Sequence, residues 1–458
     1  MKKPKKVKKA LTYIVLLLIF AGCNLGFEED IENYEYKEEV NEVYYTDERH
    51  RRWVYDINHF RNLAFARHPR FSDRYLERVR FAEALNQEMN DEIKSDFNNA
   101  LNILMHNVPY LTDFEVLTNL QKAAALLQDS HTSFRNFFGI YWYPVHFMWS
   151  EDNIYLVRIH QDYSHLLNYR LISVNDVSVD EIIKRINRFS PFKENKYSIR
   201  ANGFNGFLRQ QKNFKALGIA DSVQITYTFE NTQGEKVSVT LNPMYMPDII
   251  FAESRDGFVP LFEQNRELIN WYTFIEEKGI LYVRINSLNG VGVSPTLTLF
   301  RKLQNTIEDY DIEVAIVDLR NNGGGHHRPE LVELVVDNSP AVYTFINESS
   351  LSGALIAAVH LKSLGAVTIG QPSGQNLVFF TQTGAFGDGF DSRHLPYSGY
   401  GFSLSGQVWA LPLKYNIYFP QDHIFRPDVL IDYTLEDWIY GRDPFLEFVL
   451  ESFTREYP

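Results

Sequence analysis

The chain reads VAIVDLRNNGGG over residues 314–325, and this stretch decides how the last part of the sequence folds. Its valine and isoleucine residues predict a buried strand, and the amphipathic segment 329–336 predicts a helix after the glycines. Consecutive glycines let the backbone approach a ligand closely, and their N–H groups can face a developing negative charge. The pattern therefore indicates an oxyanion hole. A flexible turn is the alternative, whereas a phosphate loop is disfavoured because no Gly-Lys-Ser/Thr ending follows.

Strands and helices are predicted to alternate on both sides of this stretch. The predicted strands are 280–285, 314–317, 341–346 and 366–369, and the predicted helices lie near 296–307, 330–336 and 353–364. Alternation at this pitch indicates an α/β fold with a layered βα core, which we assign to residues 251–458.

Two further domains are predicted before this core. Residues 51–138 carry apolar side chains at three- and four-residue spacing, which predicts an N-terminal helical domain. Residues 139–250 are predicted to be mainly β. Strand-like pieces occur there at 153–159, 170–176, 223–227 and 236–241, with one helix at 179–186. The segment LISVNDVSV at 171–179 resembles the strand, turn and helix start of a PDZ-type domain, which implies binding of an extended peptide at a sheet edge. A purely structural β insert is the alternative.

The composition is that of a globular protein with a large core. The chain has 458 residues, of which 45% are hydrophobic, and this length is enough for two or three domains. Its formal net charge of −13 argues against nucleic acid as a partner, because a duplex binder needs a clustered basic face.

The N-terminus has the order of a secretory signal. Six lysines within residues 2–9 precede an apolar run at 11–21, which is too short to span a bilayer comfortably. Cys23 is the only cysteine, so an intrachain disulfide is impossible. The Phe-Ala-Gly-Cys sequence ending at Cys23 resembles a bacterial lipobox, which implies cleavage after residue 22, a lipid anchor on Cys23 and an extracytoplasmic location. A plain signal peptide or an uncleaved anchor is the alternative, and residues 23–50 are predicted to form a flexible tether.

A serine nucleophile is predicted at a junction between a strand and a helix. The sequence NESSLSGA at 347–354 follows one predicted strand and opens one predicted helix. A serine held at such a junction, beside backbone donors, can attack a carbonyl group. Ser352 is the candidate, with the N–H groups of Gly353 and Gly324 as oxyanion donors. The alternative is that Ser352 only caps the helix, as serines often do.

The order of these segments is similar to that of a known peptidase family. The segments are KGILYVRI at 278–285, DLRNNGGG at 318–325, SGA at 352–354, AVTIGQP at 366–372 and RPDV at 426–429. They resemble the serine peptidases of the C-terminal-processing peptidase and tricorn-core family. The resemblance implies a crotonase/ClpP-like core, Ser352 as the nucleophile, and Gly324 and Gly353 as backbone oxyanion donors.

The proton acceptor departs from the pattern of the processing peptidases. Those enzymes place a lysine base in a Gly-Lys pair after the strand that is predicted to end at 369, and the matching positions here read Gly374-Gln375-Asn376. The usual lysine is therefore missing.

The tricorn-core branch instead takes its base from a Ser-His pair ahead of the PDZ-like domain. Ser130 and His131 lie at that place, and the resemblance implies His131 as the base, since a histidine can accept a proton at neutral pH. Ser130 or Asp129 could fix its tautomer. The alternative is a polar turn with a structural histidine. That branch also uses a late acidic residue, for which Asp422 is the candidate, while Asp428 is expected to cap or brace the sheet.

These observations predict a membrane-anchored serine peptidase that hydrolyses a peptide or protein substrate through an acyl-enzyme on Ser352. No metal or organic cofactor is expected. The adjacent His326 and His327 lack the i, i+4 spacing of a helical zinc pair. We expect these two histidines at the rim of the site, and we expect His360 to be packed or exposed. The alternative is a catalytically silent lipoprotein that binds peptides or envelope partners, which the missing lysine favours. Acyl-CoA chemistry is disfavoured by the export signal. The oligomeric state is not indicated.

Overall fold

The structure, a computed structural model, describes residues 47–71, 87–135, 139–255, 257–265, 267–289, 295–381, 393–418 and 420–456. The predicted signal segment, Cys23 and most of the predicted tether lie outside the described residues. Across the described ranges, no helix combines the length and the apolar character that a membrane crossing requires.

The α-helices of the described part are α1 (Asp47–Arg67), α2 (Gln87–Asn107), α3 (Asp113–Leu126), α4 (Val179–Phe189), α5 (Phe204–Phe207), α6 (Gln211–Ala216), α7 (Pro295–Thr306), α8 (Pro329–Asp337), α9 (Gly353–Ser363), α10 (Leu411–Tyr415), α11 (Leu435–Tyr440) and α12 (Pro444–Glu456).

The strands of the described part are β1 (Ser133–Phe134), β2 (Tyr141–Trp142), β3 (Val145–Ser150), β4 (Asn153–His160), β5 (Arg170–Val174), β6 (Val177–Ser178), β7 (Ile225–Glu230), β8 (Lys236–Leu241), β9 (Met244–Tyr245), β10 (Phe251–Glu253), β11 (Asn270–Ile275), β12 (Ile280–Ile285), β13 (Val314–Asp318), β14 (Ala341–Ile346), β15 (Val367–Gly370), β16 (Val378–Thr381), β17 (Arg393–His394), β18 (Gly401–Ser403), β19 (Gln407–Ala410) and β20 (Val429–Leu430).

The chain folds as two compact units. The first contains the described residues of Met1–Phe137 together with Asn187–Phe192 and Phe380–Val408. The second contains those of Phe138–Ile186, Lys193–Phe379 and Trp409–Pro458. The three-domain division expected from the sequence stays a prediction.

The main sheet of the second unit has the order β11-β12-β13-β14-β15-β20. Strands β12 to β15 and β20 run parallel, and β11 pairs antiparallel with β12. Every residue of β12 and β13 is buried. Leu281 and Val317 belong to one apolar cluster, while Ile280 and Ile316 belong to another, so apolar side chains cover both faces of the sheet. A parallel sheet covered in this way explains the continuous runs of valine and isoleucine in the sequence.

The predicted alternation of strands and helices is confirmed in this part of the chain. The four predicted strands are β12, β13, β14 and β15, and the three predicted helices are α7, α8 and α9. Their ends lie within one residue of the expected positions. The mixed α/β class of the fold is therefore confirmed.

A second sheet of the same unit has the order β10-β4-β5-β7-β8, with β3 paired to β4 and β6 paired to β5. Its described pairings are antiparallel. The strands predicted from the short apolar pieces are present as β4, β5, β7 and β8, and the predicted helix is present as α4. Along β7, fully buried and partly buried residues alternate, which is the pattern of a strand with one face on a core.

The first unit combines α1, α2 and α3 with a small sheet of order β1-β18-β17. Its core contains aromatic rings: the ring centre of Phe60 lies 5.8 Å from Phe97, 5.0 Å from Phe134 and 5.3 Å from Phe402. Helix α1 begins at Asp47, which is four residues before the expected start of the helical domain. Acidic residues in the first turn of α1 favour this earlier start, because they face the positive end of the helix dipole.

A buried ionic network holds the end of β13 next to the glycine stretch. Asp318 accepts hydrogen bonds from Arg284 at 2.6 Å, from the Tyr282 hydroxyl at 2.5 Å and from Arg320 Nε at 3.0 Å. Arg320 also donates two hydrogen bonds of 2.9 Å to Asp443. Burial would raise the pKa of Asp318, but the charges of Arg284 and Arg320 outweigh it and lower that pKa to about 2.

Replacement of Asp318 with Asn should destabilise the second unit by about 3–5 kcal/mol, because it removes the carboxylate that pairs with the buried Arg284 and one of the two that pair with the buried Arg320. Urea unfolding followed by circular dichroism measures the change. Asp422→Asn is the matched control: Asp422 is exposed and pairs with Arg426, so its loss should cost less than about 1 kcal/mol. Equal effects of the two substitutions would contradict this role of the network.

The difference in stability between the wild type and Asp318→Asn should depend on pH. Because the pKa of Asp318 in the folded protein is lower than its ordinary value of 3.8, the stabilisation is fully present above about pH 4 and is lost as the pH falls toward about 2. The gap in unfolding midpoint between wild type and Asp318→Asn should narrow over this window.

Candidate active site

Ser352 lies where a short loop after β14 leads into α9. Its backbone angles are φ 51° and ψ −119°, which non-glycine residues rarely adopt and which cost about 1–3 kcal/mol. Within the described residues, its side chain makes no capping hydrogen bond to the first turn of α9. A strained serine at a sharp turn from strand to helix is the geometry that presents a nucleophilic hydroxyl. The structure has the expected junction, and its geometry does not support a simple cap.

The glycine stretch packs directly against this turn. The φ angles are 102° at Gly324 and 123° at Gly325, a region that favours glycine. A Cβ atom on Gly324 would lie 2.6 Å from the Cβ of Ser352, and one on Gly353 would lie 2.2 Å from the carbonyl oxygen of Gly325. These separations are below any van der Waals contact. Glycine is therefore required here because two backbone segments approach each other.

The two predicted oxyanion donors differ in their surroundings. Within the part of the chain that the structure describes, the N–H of Gly353 has no hydrogen-bond acceptor, as is usual in the first turn of a helix. The N–H of Gly324 instead donates to Asn322 Oδ1 at 2.9 Å, and Asn322 Nδ2 donates to the Ile285 carbonyl at 2.8 Å. The N–H of Gly353 is thus available to a ligand. The donor role of Gly324 stays a prediction, because Asn322 Oδ1 would first have to release the Gly324 N–H.

Gln375 contacts the backbone of Ser352. Its side chain is 1% exposed, and its Oε1 atom accepts a hydrogen bond from the Ser352 N–H at 2.5 Å. Sequence reasoning noted Gln375 only as a departure from a motif and gave it no role. The one signal that could have located it is the match of Gly374 to the Gly-Lys pair.

His131 lies in the first unit, where Ser130 contacts its ring. Ser130 Oγ is 3.1 Å from His131 Nδ1, and the backbone N–H of His131 donates to Asp129 Oδ1 at 2.9 Å. Burial lowers the pKa of His131, while the Asp129 charge and a hydrogen bond to the Phe380 backbone act in the opposite direction. Of the two residues expected to fix the tautomer, Ser130 is the one at the ring nitrogen, and Asp129 holds the backbone.

Asp129 is the centre of a buried cluster that sequence reasoning did not identify. Its Oδ2 atom lies 3.1 Å from His68 Nε2 and accepts from the Thr132 hydroxyl at 2.5 Å. Burial would raise the pKa of Asp129, but the hydrogen bond and the charge of His68, together with the His131 charge, hold it well below its ordinary range. Nothing in the sequence around His68 indicates this contact, because the two residues are far apart along the chain.

The expectation that His327 lies at the rim of the site is wrong. His327 is buried, and its Nε2 atom lies 3.2 Å from Nδ1 of His360 on α9. The chain turns inward after Gly325, so the second of the adjacent histidines packs against the helix and the first, His326, stays partly exposed. His360 is packed, with the Tyr415 ring 4.9 Å from its own. Among the described residues, no group of three or more His, Cys, Asp or Glu side chains is placed to hold a metal ion.

The two late aspartates have different surroundings. Asp422 is exposed and pairs with Arg426, whose hydrogen bond lowers the pKa of Asp422 to about 2. Asp428 accepts from the Thr368 N–H at 3.0 Å and from its hydroxyl at 2.7 Å, and it pairs with Lys362. Asp428 therefore braces β15 next to β20, as expected from the sequence.

Replacement of Gly353 with Ala should force the glycine stretch away from α9, because the new Cβ would meet the Gly325 oxygen at 2.2 Å. We expect a clear fall in the thermal unfolding midpoint, measured by differential scanning fluorimetry. Gly401→Ala is the control, since its Cβ would meet nothing closer than 3.7 Å. Similar midpoints for the two variants would contradict the close packing described here.

Comparisons with known proteins identify the fold. No family model matches the chain, and no curated protein matches it either. The crystal structure of mature CPAF matches with a TM-score of 0.58 and 14% identity, covering 89% of this chain and 99% of that one. Mature CPAF complexed with lactacystin matches with a TM-score of 0.56 and 14% identity, covering 89% and 98%.

A photosystem II D1 C-terminal processing protease also matches, with 12% identity over 85% of this chain and 98% of that one, but its TM-score of 0.40 is too low to support an argument. At such identities a structural match is informative about the fold alone. The fold of this chain is similar to that of mature CPAF.

Proposed function

We propose that this chain is a serine peptidase that hydrolyses peptide bonds through an acyl-enzyme on Ser352. The observation that carries the proposal is the conformation of Ser352, which is strained at a turn from strand to helix and lies beside the Gly353 N–H and the glycine stretch. Strain of this kind is retained where the surrounding structure imposes it, and such places are often functional.

The chemistry begins with attack of Ser352 Oγ on a substrate carbonyl carbon. The negative charge that develops on the carbonyl oxygen faces the Gly353 N–H and the positive end of the α9 dipole. Loss of one such donor costs on the order of 100- to 1000-fold in rate in enzymes of this type. The leaving amine takes a proton, and water then hydrolyses the acyl-enzyme.

His131 is the proposed proton acceptor, as the resemblance to the tricorn core implies. Ser130 Oγ lies 3.1 Å from the Nδ1 atom of His131, and a neutral imidazole keeps a lone pair on one ring nitrogen that can take up the serine proton. The lowered pKa of His131 supports this role, because it keeps the imidazole neutral at pH 7.

The similarity of fold to mature CPAF supports a peptide or protein substrate. That protein has been seen complexed with lactacystin, which makes lactacystin a reasonable second probe for this chain. In the second unit, β8 lies at the edge of the described sheet, and an edge strand can pair with an extended peptide. We therefore propose that the sheet that contains β8 is PDZ-like and that the main sheet is crotonase/ClpP-like, as the resemblance implies.

The lipid anchor at Cys23 and the extracytoplasmic location are part of the proposal and rest on the sequence alone. A globomycin-sensitive shift in mobility that Cys23→Ala abolishes would support the anchor. Processing that persists in Cys23→Ala would indicate a plain signal peptide instead.

A fluorophosphonate probe tests the nucleophile. We expect covalent labelling of the wild-type protein and none of Ser352→Ala, because the probe reacts with an activated serine hydroxyl. Ser363→Ala is the control, since Ser363 lies on the same helix and its hydroxyl donates to the His360 carbonyl. Absence of labelling in the wild type would support the catalytically silent binding lipoprotein.

Replacement of His131 with Ala should abolish labelling while leaving the thermal unfolding midpoint nearly unchanged. His394→Ala, an exposed histidine of the same unit, should have no effect on labelling. The labelling rate of the wild type should fall with acid only below pH 6.5, because burial lowers the pKa of His131 from 6.5 and a base must be neutral to act. Labelling that persists in His131→Ala would mean that another group takes the proton.

A further inference from the structure

We propose that Glu194 and Gln375 form a positioning pair that sets the orientation of the Ser352 backbone, and so the reactivity of the nucleophile. The inference rests on the proposed function of Ser352. Both residues belong to the second unit, and neither touches a substrate in the scheme above.

The Gln375 amide can present either its oxygen or its NH2 group to Ser352. The two ends have nearly the same shape, so the hydrogen-bond partners decide the orientation. Only the oxygen can accept from the Ser352 N–H, and that is the observed contact. An amide turned by 180° would place a donor against a donor in a buried position.

Glu194 favours the productive orientation. Its Oε1 atom accepts from Gln375 Nε2 at 3.3 Å, and its Oε2 atom accepts from the Asn376 N–H at 3.0 Å. An ionised carboxylate can only accept hydrogen bonds. It therefore draws the NH2 group of Gln375 toward itself and leaves the amide oxygen for Ser352.

Other hydrogen bonds fix the segment that carries Glu194 against the turn that carries Gln375. Asn195 Nδ2 donates to the Ser373 carbonyl at 3.2 Å, and Asn376 Nδ2 donates to the Glu194 carbonyl at 3.1 Å. Ser198 Oγ donates to the Gly374 carbonyl at 2.6 Å. The carboxylate of Glu194 is thus held by its own backbone and does not depend on a flexible side chain alone.

The orientation of the Ser352 backbone matters because it determines where the oxyanion donor points. The peptide group before Ser352 is fixed by Gln375, and the peptide group after it is fixed by the Ser352 carbonyl, which accepts from the Ile356 N–H at 3.0 Å. The second peptide group carries the Gly353 N–H. Loss of the Gln375 acceptor would release the strained φ of Ser352 and turn both the hydroxyl and this N–H.

The test measures the second-order rate of labelling by a fluorophosphonate, so no natural substrate is needed. Glu194→Gln removes the preference for one amide orientation, and we expect labelling to slow by about 10-fold. In Gln375→Glu, the new carboxylate faces the carboxylate of Glu194, and the two repel each other when both are ionised. Labelling should therefore be slow at about pH 8. It should recover toward about pH 6.5, where the two carboxylates come to share a proton. The wild type should show no such recovery.

The double variant Glu194→Gln with Gln375→Glu is the decisive arm. The new carboxylate at 375 accepts from the Ser352 N–H and from the new amide at 194, and that amide still offers an oxygen to the Asn376 N–H. The bonds from the Ser352 N–H and the Asn376 N–H are kept, and donor and acceptor are exchanged only between positions 194 and 375. Labelling should therefore return to within about 3-fold of wild type at pH 8. Glu436→Gln, at an exposed pair with Arg442, is the matched control and should label normally.

The possible results distinguish a failure of the positioning role of Glu194 and Gln375 from a failure of the proposed peptidase function. Labelling of the wild type but not of Ser352→Ala, with Glu194→Gln labelled at the wild-type rate, overturns the positioning role and leaves the peptidase proposal intact. A double variant that labels no faster than Gln375→Glu also overturns it. A wild type that does not label overturns both.

Discussion

Close contact between two backbone segments, at Gly325 and Gly353, is the constraint on which the candidate site depends. A Cβ at Gly353 would come within 2.2 Å of the Gly325 carbonyl oxygen, so the first turn of α9 can pack against the glycine stretch only in the absence of side chains. The Asp318 network holds the strand end that leads into this stretch. The glycine stretch and the first turn of α9 are therefore both fixed in position. Together they maintain the strained backbone conformation of Ser352.

Neutral amides, rather than charges, hold the backbone around Ser352. The main-chain carbonyl of Asn322 accepts a hydrogen bond from the Leu351 N–H, and the side-chain oxygen of Gln375 accepts one from the Ser352 N–H. A lysine at position 375 could not accept that hydrogen bond, because an ammonium group has donors only. The contact between Gln375 and Ser352 therefore requires a side chain at position 375 that can accept a hydrogen bond.

The sequence allowed the core to be predicted closely, and the reason is physical. Strands such as β12 and β13 are covered on both faces, so their apolar runs are unbroken and their ends are sharp. The junction at Ser352 was also predictable, because it lies between a strand and a helix that both have strong patterns. The contact between Glu194 and Gln375 was not predictable, since it joins residues 181 positions apart in loops that have no periodicity. The burial of His327 was missed for the same reason: a loop pattern does not indicate which side chains turn inward.

Peptide mapping of the fluorophosphonate adduct tests the central claim most directly. We predict a single adduct on wild-type protein, located by tandem mass spectrometry on Ser352, with unmodified Ser349 and Ser350 in the same peptide as internal controls. An adduct on a different serine, or an intact mass that remains unchanged after prolonged incubation, would contradict the account of Ser352 as an activated nucleophile.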